Sequence, residues 1–572
     1  MNKKSFLFIS AITIFALFIF SPSQGQDAKK INITVPQDVE LRIDSLFSSW
    51  DTITSPGAAI AVMHKGEIVF SKGYGSAQLE YDIPITPTTI FHIASVSKQF
   101  TVFSILLLQE EGKLFIDDDI RKHIPEVPDF GKKISLKHLM THTSGMRDQW
   151  NLLALAGWRL DDVITKEHVM TLVRNQKELN FDPGEEYVYC NTGFTLLAEV
   201  VARVSGKSFA AFTEERIFGP LNMQNTLFYD DHEKIVKNRA YSYQRTDDGF
   251  QKSVLSYANA GATSLFTTVE DLMLWTDNFI RPKVGNQHIF KQMNIEAVLN
   301  DGSTFGGGMG QFINTYKGLK QIQHGGADAG YRSYLGRFPE QDFAVAVFSN
   351  LGAFNPTGLS LKVADLFLSE LQTKEEVTVK KDAAEDVEFV ELSNEQLNKH
   401  EGTYWNDAGS YSRTIYVRDD TLWYDRGFNR KSPLAPLSEH EFKMLNVDVD
   451  LRVSFKNENG NRKMNVTIDG GDPIVSDAYL EPVYTNASLQ EFAGNYISSE
   501  LNTNYRLAVK GDTLISTHFR HGEMILQPVK TDFFETDKWY FGYVRFERND
   551  AGEVSGCRVS SGRVRNLLFV KE

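Results

Sequence analysis

The last third of the chain repeats itself, and no other feature limits its fold as strongly. "LNKHEGTY" (Leu397 to Tyr404) returns as "LQEFAGNY" (Leu489 to Tyr496), and "VRDDTLW" (Val417 to Trp423) returns as "VKGDTLI" (Val509 to Ile515). The two pairs share one offset, which marks a duplication. Each copy carries short alternating apolar runs broken by Asp-Asp, Gly-Asp or Asn-Gly, the pattern of antiparallel all-β units. A β-unit of this length removes its open edges by closing on itself. Two tandem antiparallel β-barrels are therefore expected, over residues 393–483 and 484–572. Ahead of them, "QTKEEVTVKKDAAEDVEF" (Gln372 to Phe389) is charged and poor in large apolar residues, so residues 372–392 read as a linker. Residues 30–371 mix helical and strand periodicities and form a separate, mixed α/β unit.

A chain of 572 residues is too long for one core, and its 42% apolar and 12% aromatic content is ample for several. The formal charge of −14 disfavours nucleic acid and anionic membrane surfaces as partners. Two cysteines, Cys190 and Cys557, make no disulfide framework. The opening "MNKK" is a short basic segment, and "SFLFISAITIFALFIF" is apolar but short for a membrane span. "SPSQGQ" then supplies small residues for cleavage, so residues 1–25 read as a signal peptide and the mature chain as periplasmic or secreted. No cysteine stands there to take a lipid, and no stable membrane anchor is expected.

"FHIASVSKQFTVFSILLLQ" (Phe91 to Gln109) places Ser95 three residues before Lys98 at the start of an apolar run. Phe100, Phe103, Leu106 and Leu107 recur at helical spacing and Gly112 ends the pattern. Ser95 thus lies at a helix start with Lys98 on the same face. Free N–H groups and the positive end of the helix dipole favour an alkoxide there. A lysine buried among apolar neighbours loses its preference for charge and becomes a usable base. Ser-x-x-Lys should arise by chance roughly twice in a chain of this size, so the motif carries little by itself. It occurs here only once.

Two further segments bear on it. In "FDPGEEYVYCNTGFTLLAEVVARVSG" (Phe181 to Gly206), Tyr189-Cys190-Asn191 precedes an amphipathic helix that Asn191 is expected to cap and Gly206 to end. Tyr-x-Asn is not specific: Tyr257-Ala-Asn259 and Tyr484-Thr-Asn486 also occur. In "QIQHGGADAGYRSYLGRF" (Gln321 to Phe338), His324-Gly325-Gly326 ends an extended segment, and two glycines let a backbone come close to a ligand. An ordinary loop histidine beside a hairpin glycine would look the same.

In order, these segments resemble the Ser-x-x-Lys, Tyr-x-Asn and Lys/His-x-Gly triplet of the serine β-lactamase and penicillin-binding-protein superfamily. The likeness is to its class C, D-aminopeptidase and esterase side. "LMTHTSGM" (Leu139 to Met146), "IFGPLNMQNT" (Ile217 to Thr226) and "TTVEDLMLW" (Thr267 to Trp275) resemble further segments of that family. The barrels resemble the lipocalin-like domains appended to some members. The resemblance implies an antiparallel sheet flanked by helices, beside a helical lobe, with the site between them. It implies an acyl-enzyme on Ser95, Lys98 as base and Tyr189 as proton relay. Asn191 would hydrogen-bond Lys98 and the substrate, and the N–H groups of Ser95 and Ala327 would form the oxyanion hole. The substrate would be a small molecule or peptide carrying an amide or ester bond, with no cofactor and no metal. A catalytically silent protein that binds cell-wall peptide or glycan is the alternative.

The departures from the family shape the expected selectivity. His324-Gly325-Gly326 stands where many β-lactamases have Lys-Thr-Gly, and His324, Gly325, Gly326 and Ala327 would line the substrate site. A neutral imidazole holds an anion poorly, so substrates without a free carboxylate next to the scissile bond are expected to be preferred. Thr263 and Ser264 stand where the family often has glycine. Cys190 is expected to be buried and inert. His138 and His142 are spaced i, i+4 but lack the Glu of a zinc motif, and "FGGGMG" (Phe305 to Gly310) lacks a P-loop's Lys-Ser/Thr and reads as a flexible strand lead-in. The loop from Arg147 to Asp162, with Trp150 and Trp158, is expected to roof the pocket. The barrels hold no nucleophile motif, so the chemistry is assigned to the first unit, with a barrel loop able to line the cleft.

Overall fold

The computed structural model describes residues 35–371 and 389–572, except 408, 410, 428, 429, 448 and 459. The expected signal peptide and most of the expected linker lie outside the described residues. The first unit is built on β1 (Ala58–His64), β2 (Glu67–Tyr74), β3 (Phe312–Tyr316), β4 (Leu319–Asp328), β5 (Tyr331–Phe338) and β6 (Phe343–Ser349). They form one sheet in the spatial order β3-β4-β5-β6-β1-β2, with every neighbouring pair antiparallel. Lys65 and Gly66 turn the β1–β2 hairpin with φ of 53° and 81°, the left-handed values a tight hairpin needs.

The helices used below are α1 (Gln37–Phe47), α2 (Lys98–Glu110), α3 (Gln149–Leu155), α4 (Asn191–Ser205), α5 (Val269–Asn278) and α6 (Pro356–Leu368). Alternation along β1 sorts its side chains between two layers. Ala58, Ile60 and Val62 pack with Ile43 and Phe47 of α1 and Val363 of α6. Ala59, Ala61 and Met63 join the larger cluster that holds α2, α4 and α5. Being covered on both faces, β1 is apolar along its whole length. α2 is buried on every side from Lys98 to Leu108, so its apolar pattern understates its burial. Trp275 of α5 lies 4.3 Å from the Phe100 ring and 5.0 Å from the Phe103 ring.

Both expected barrels close, each with eight strands, from Gly402 to Tyr479 and from Gly494 to Lys571. The repeat now has a physical reading. Tyr404 and Tyr496 each donate their hydroxyl to a carbonyl four residues upstream, that of His400 (2.9 Å) and of Phe492 (2.8 Å). Gly402 and Gly494 adopt φ of 147° and 152°, values that need glycine. Leu397 and Leu489, at matching positions of the repeat, are both buried in the core clusters of their barrels.

The barrels differ in what they touch. The first keeps a core of its own. The core of the second is continuous with the helical lobe of the first unit. Arg147, 1% exposed, donates from Nη1 to both oxygens of Glu500 (2.6 and 2.8 Å) and from Nη2 to the Arg565 carbonyl (2.9 Å). Tyr505 donates to the Leu155 carbonyl (2.9 Å), and Arg565 pairs with Glu186 through two bonds of 3.0 and 2.9 Å. The Arg147–Asp162 segment is therefore a roof clamped from behind by the second barrel. Glu500→Ala would leave Arg147 buried without its main counter-charge, and should lower stability by about 3 kcal/mol. Arg147→Met with Glu500→Leu should recover most of that loss. Denaturant midpoints of the three proteins check this.

Candidate active site

The chain enters the site through a strained turn. Ala94 takes φ of 46°, unusual for any residue but glycine, and a single 3₁₀ turn (Ala94–Ser97) then leads into α2. Ser95 sits in that turn, at the helix start as expected. The close approach of β4 requires Gly326: a Cβ there would lie 2.3 Å from Ser333 Oγ and 2.4 Å from the Ile93 carbonyl. Gly325 is under no such constraint, since a Cβ there would meet nothing nearer than 3.9 Å. β3 pairs with β4 only as far as Phe312 and Gln323, whereas β5 follows β4 to Asp328. His324, Gly325, Gly326 and Ala327 thus form a strand edge without a neighbour on the cleft side. Backbone groups on such an edge are free to meet a substrate.

Lys98 Nζ lies 3.0 Å from Ser95 Oγ, 2.9 Å from Asn191 Oδ1 and 2.7 Å from the Ala262 carbonyl. Two of these three neighbours can only accept. A neutral amine has two N–H groups and one lone pair. Its hydrogens go to Asn191 and Ala262, which leaves the lone pair facing the Ser95 hydroxyl. Burial is the main cause that pushes Lys98 down to about 7; Asp148 opposes the shift and Arg563 adds to it. The charge of Lys98 is therefore balanced near neutrality.

Tyr189 is half-buried, with its hydroxyl shielded from solvent close to Ser95 but in no hydrogen bond of normal geometry among the described residues. Burial raises its pKa, while Ser95 and Arg563 pull it down. It is thus a protonated donor beside Ser95, and Lys98 is the group there that can be neutral near pH 7. Its ring stacks on His142 (4.1 Å between centroids) and has Lys98 Nζ and the Arg563 guanidinium each 4.9 Å from its centre. His142 accepts from the Cys190 N–H (3.0 Å), and burial holds it well below the usual histidine range, so it stays neutral. His138 caps a short helix through the Ser135 N–H. The pair reads as packing and capping.

Asn191 does not cap α4 as expected. Cys190 is the capping residue and Asn191 the first helical one, so the amide is free for the site. Its Oδ1 takes the Lys98 bond, while its backbone N–H and Nδ2 donate to Asp148 Oδ2 (2.7 and 2.8 Å). Asp148, fully buried, was not singled out from the sequence. Its sign was an Asp before the apolar "QWNLLAL", where it caps α3 by accepting from the Trp150 N–H (3.0 Å). Cys190 is buried and its thiol is pushed up to about 12 by burial. Ser264 occupies a left-handed conformation (φ 72°), one that glycine adopts most readily. Thr263 donates to Asp328 Oδ2 (2.9 Å) at the cleft wall.

His324 is 3% exposed and pushed down to about 3, chiefly by burial and then by Lys98. Its Nδ1–H is spent on the Gly325 carbonyl (2.5 Å), so it has no N–H to offer a substrate. The "FGGGMG" stretch packs closely and is no loose lead-in: a Cβ on Gly310 would lie 2.9 Å from the Lys98 carbonyl. A cleft of about 830 Å³ joins Ser95, Tyr189, Asn191 and the β4 edge. Trp150 lines it, as the roof reading requires; Trp158 instead packs on His168. Arg563 and Trp539 of the second barrel line it as well.

A buried lysine on a serine at a helix start, beside a protonated tyrosine and an open strand edge, defines a serine hydrolase of the Ser-x-x-Lys class. The family described as Beta-lactamase matches residues 48–368, and the chain belongs to it. A D-aminopeptidase of Gluconobacter oxydans is 25% identical over 295 residues, 52% of this chain and 56% of that protein. A D-aminopeptidase of Brucella anthropi is 28% identical over 329 residues, 57% of this chain and 62% of that protein. The match thus spans under two thirds of either relative. An octameric penicillin-binding protein homologue from Pyrococcus abyssi superposes with a TM-score of 0.54 at 25% identity, over 77% of this chain and 99% of that one. A D-amino acid amidase from Ochrobactrum anthropi SV3 shares the fold (TM-score 0.50, 22% identity, 59% of this chain and 99% of that one).

The site makes a pH prediction. Lys98 acts as base only when neutral, so kcat/KM should rise with pH through about 7. Asp148→Asn removes the charge that favours protonated Lys98, and it weakens the hold on Asn191. The acid limb should move to lower pH while kcat falls. A pH–rate profile of both proteins checks this, and an acid limb that does not move would show that another group titrates.

Proposed function

We propose that the protein is an exported serine hydrolase that cleaves an amide or ester, most fittingly in a D-amino-acid derivative, through an acyl-enzyme on Ser95. One observation carries the reading: among the described residues, the one hydroxyl in hydrogen-bond reach of the buried Lys98 amine is that of Ser95, 3.0 Å away. Neutral Lys98 takes the Ser95 proton as Oγ adds to the substrate carbonyl. The oxyanion meets the N–H groups of Ser95 and Ala327, donors that are each worth roughly 10²–10³ in rate where measured in other enzymes. Tyr189 protonates the leaving group and regains its proton from Lys98. In the second half a water gives its proton to the same pair, adds to the acyl carbon, and Ser95 departs as the hydroxyl. The matching relatives named D-aminopeptidase support a D-amino-acid substrate. The basic and apolar opening of the chain supports export. The complete set of Ser95, Lys98 and Tyr189 argues against a silent binding protein.

A fluorophosphonate should add one mass increment to the wild type and none to Ser95→Ala, read by intact mass. Ser95→Ala should also lower kcat by several orders of magnitude, as loss of other covalent nucleophiles does. p-Nitrophenyl esters, D-amino-acid p-nitroanilides and nitrocefin would identify the preferred bond. Labelling kept in Ser95→Ala, or mapped to Ser97, would overturn the assignment.

A further inference from the structure

The second barrel places a charged side chain in the cleft. Its last two strands, Val554–Ser561 and Val564–Lys571, are joined by a two-residue turn of Gly562 and Arg563. The turn is tethered by its backbone. The Arg563 carbonyl accepts from the Asp148 N–H (3.2 Å) and from Asn180 Nδ2 (3.0 Å). Asn151 Nδ2 donates to Ser561 Oγ (2.9 Å), and the Arg565 N–H donates to Asn180 Oδ1 (2.8 Å). None of these bonds uses the Arg563 guanidinium. That group lies over the Tyr189 ring, 4.9 Å from its centre, and has no hydrogen bond or carboxylate partner among the described residues.

Each other charged group of the cleft already carries at least one hydrogen bond. Arg332 donates to the carbonyls of Ala329 and Tyr331 (3.2 and 2.7 Å). Lys98 is held by its three neighbours. Asp328 accepts from Thr263 and faces His92. His324 is neutral and has spent its N–H. Among the described residues, Arg563 is the cleft cation with none of its guanidinium donors spent, whereas Arg332 has committed its Nη1, and Arg563 stands beside Tyr189, the residue that protonates the leaving group. A guanidinium can hold a carboxylate through two parallel bonds.

We propose that Arg563 binds an anionic group, a carboxylate on the leaving-group side of the scissile bond, so that the second barrel sets the substrate specificity of the first unit. This rests on the hydrolase reading above. It reverses the selectivity expected from His324 alone, because the cation missing from β4 is supplied from a separate domain. The preferred substrates are then amides or esters whose departing half ends in a free carboxylate.

The test uses the full chain and two esters of N-acetyl-D-alanine, one of phenol and one of 3-hydroxybenzoic acid. The readout is the ratio of kcat/KM for the carboxylated ester to that for the neutral one. The wild type should favour the carboxylated ester, mainly through KM. Arg563→Ala should lower the ratio at least tenfold, Arg563→Lys should restore part of it, and Arg563→Glu should drive it below that of Arg563→Ala. The backbone tether of the turn is kept in all three variants, and thermal melts verify the fold. A ratio unchanged in Arg563→Ala, or a wild type that favours the neutral ester, would overturn the proposal. A wild type that hydrolyses neither ester and takes no fluorophosphonate would refute the hydrolase reading itself, which is a separate failure.

Discussion

The active site depends on one buried carboxylate. Asp148 carries four roles at once. It caps the roof helix α3, accepts two bonds from Asn191, donates its own N–H to the barrel turn at Arg563, and sets part of the field felt by Lys98. A buried charge is tolerated only when its hydrogen-bonding capacity is met. Here the groups that meet it are the ones the chemistry needs in place. Asn191, fixed from behind, fixes Lys98, and Lys98 then has one neighbour left to which its lone pair can turn.

Around that carboxylate, rigidity comes from close backbone approach. Ala94 is held in a left-handed conformation directly before Ser95, and Gly326 lies so near Ile93 and Ser333 that no side chain fits. Strain of this kind costs of order 1–3 kcal/mol per residue and persists only where packing determines it. The fully buried α2 and the two-layered β1 supply that packing. The result is a Ser95 whose position is decided by the core and owes little to its own loop.

The duplicated barrels have diverged in use. Both retain the tyrosine-to-carbonyl bond and the positive-φ glycine at the first strand. Only the second has merged its core with the helical lobe and sent a turn into the cleft. Duplication thus preserved a scaffold while one copy became part of an enzyme's wall.

The sequence by itself determined the architecture and named the side chains that meet in the cleft. Alternation with turn signals implied two β-barrels, helical spacing after Ser95 implied the nucleophile helix, and the order of Ser95, Lys98, Tyr189, Asn191 and His324 implied one cleft. These features are local or repeat in a pattern, so a linear reading reaches them. Asp148 and Arg563 were not legible in this way. An Asp at a helix start looks like any cap, and an Arg in a hairpin turn looks like any solvated charge. Their roles arise from contacts hundreds of residues apart in sequence, such as Arg147 with Glu500 and Asp148 with Arg563. The helix α4 shows the same limit: Asn191 suits a cap by type, but the cap fell to Cys190 because Lys98 and Asp148 claimed its side chain. Tertiary structure decided these points, because the energy of a buried polar group depends on which partners the fold brings to it, and not on its neighbours in the chain.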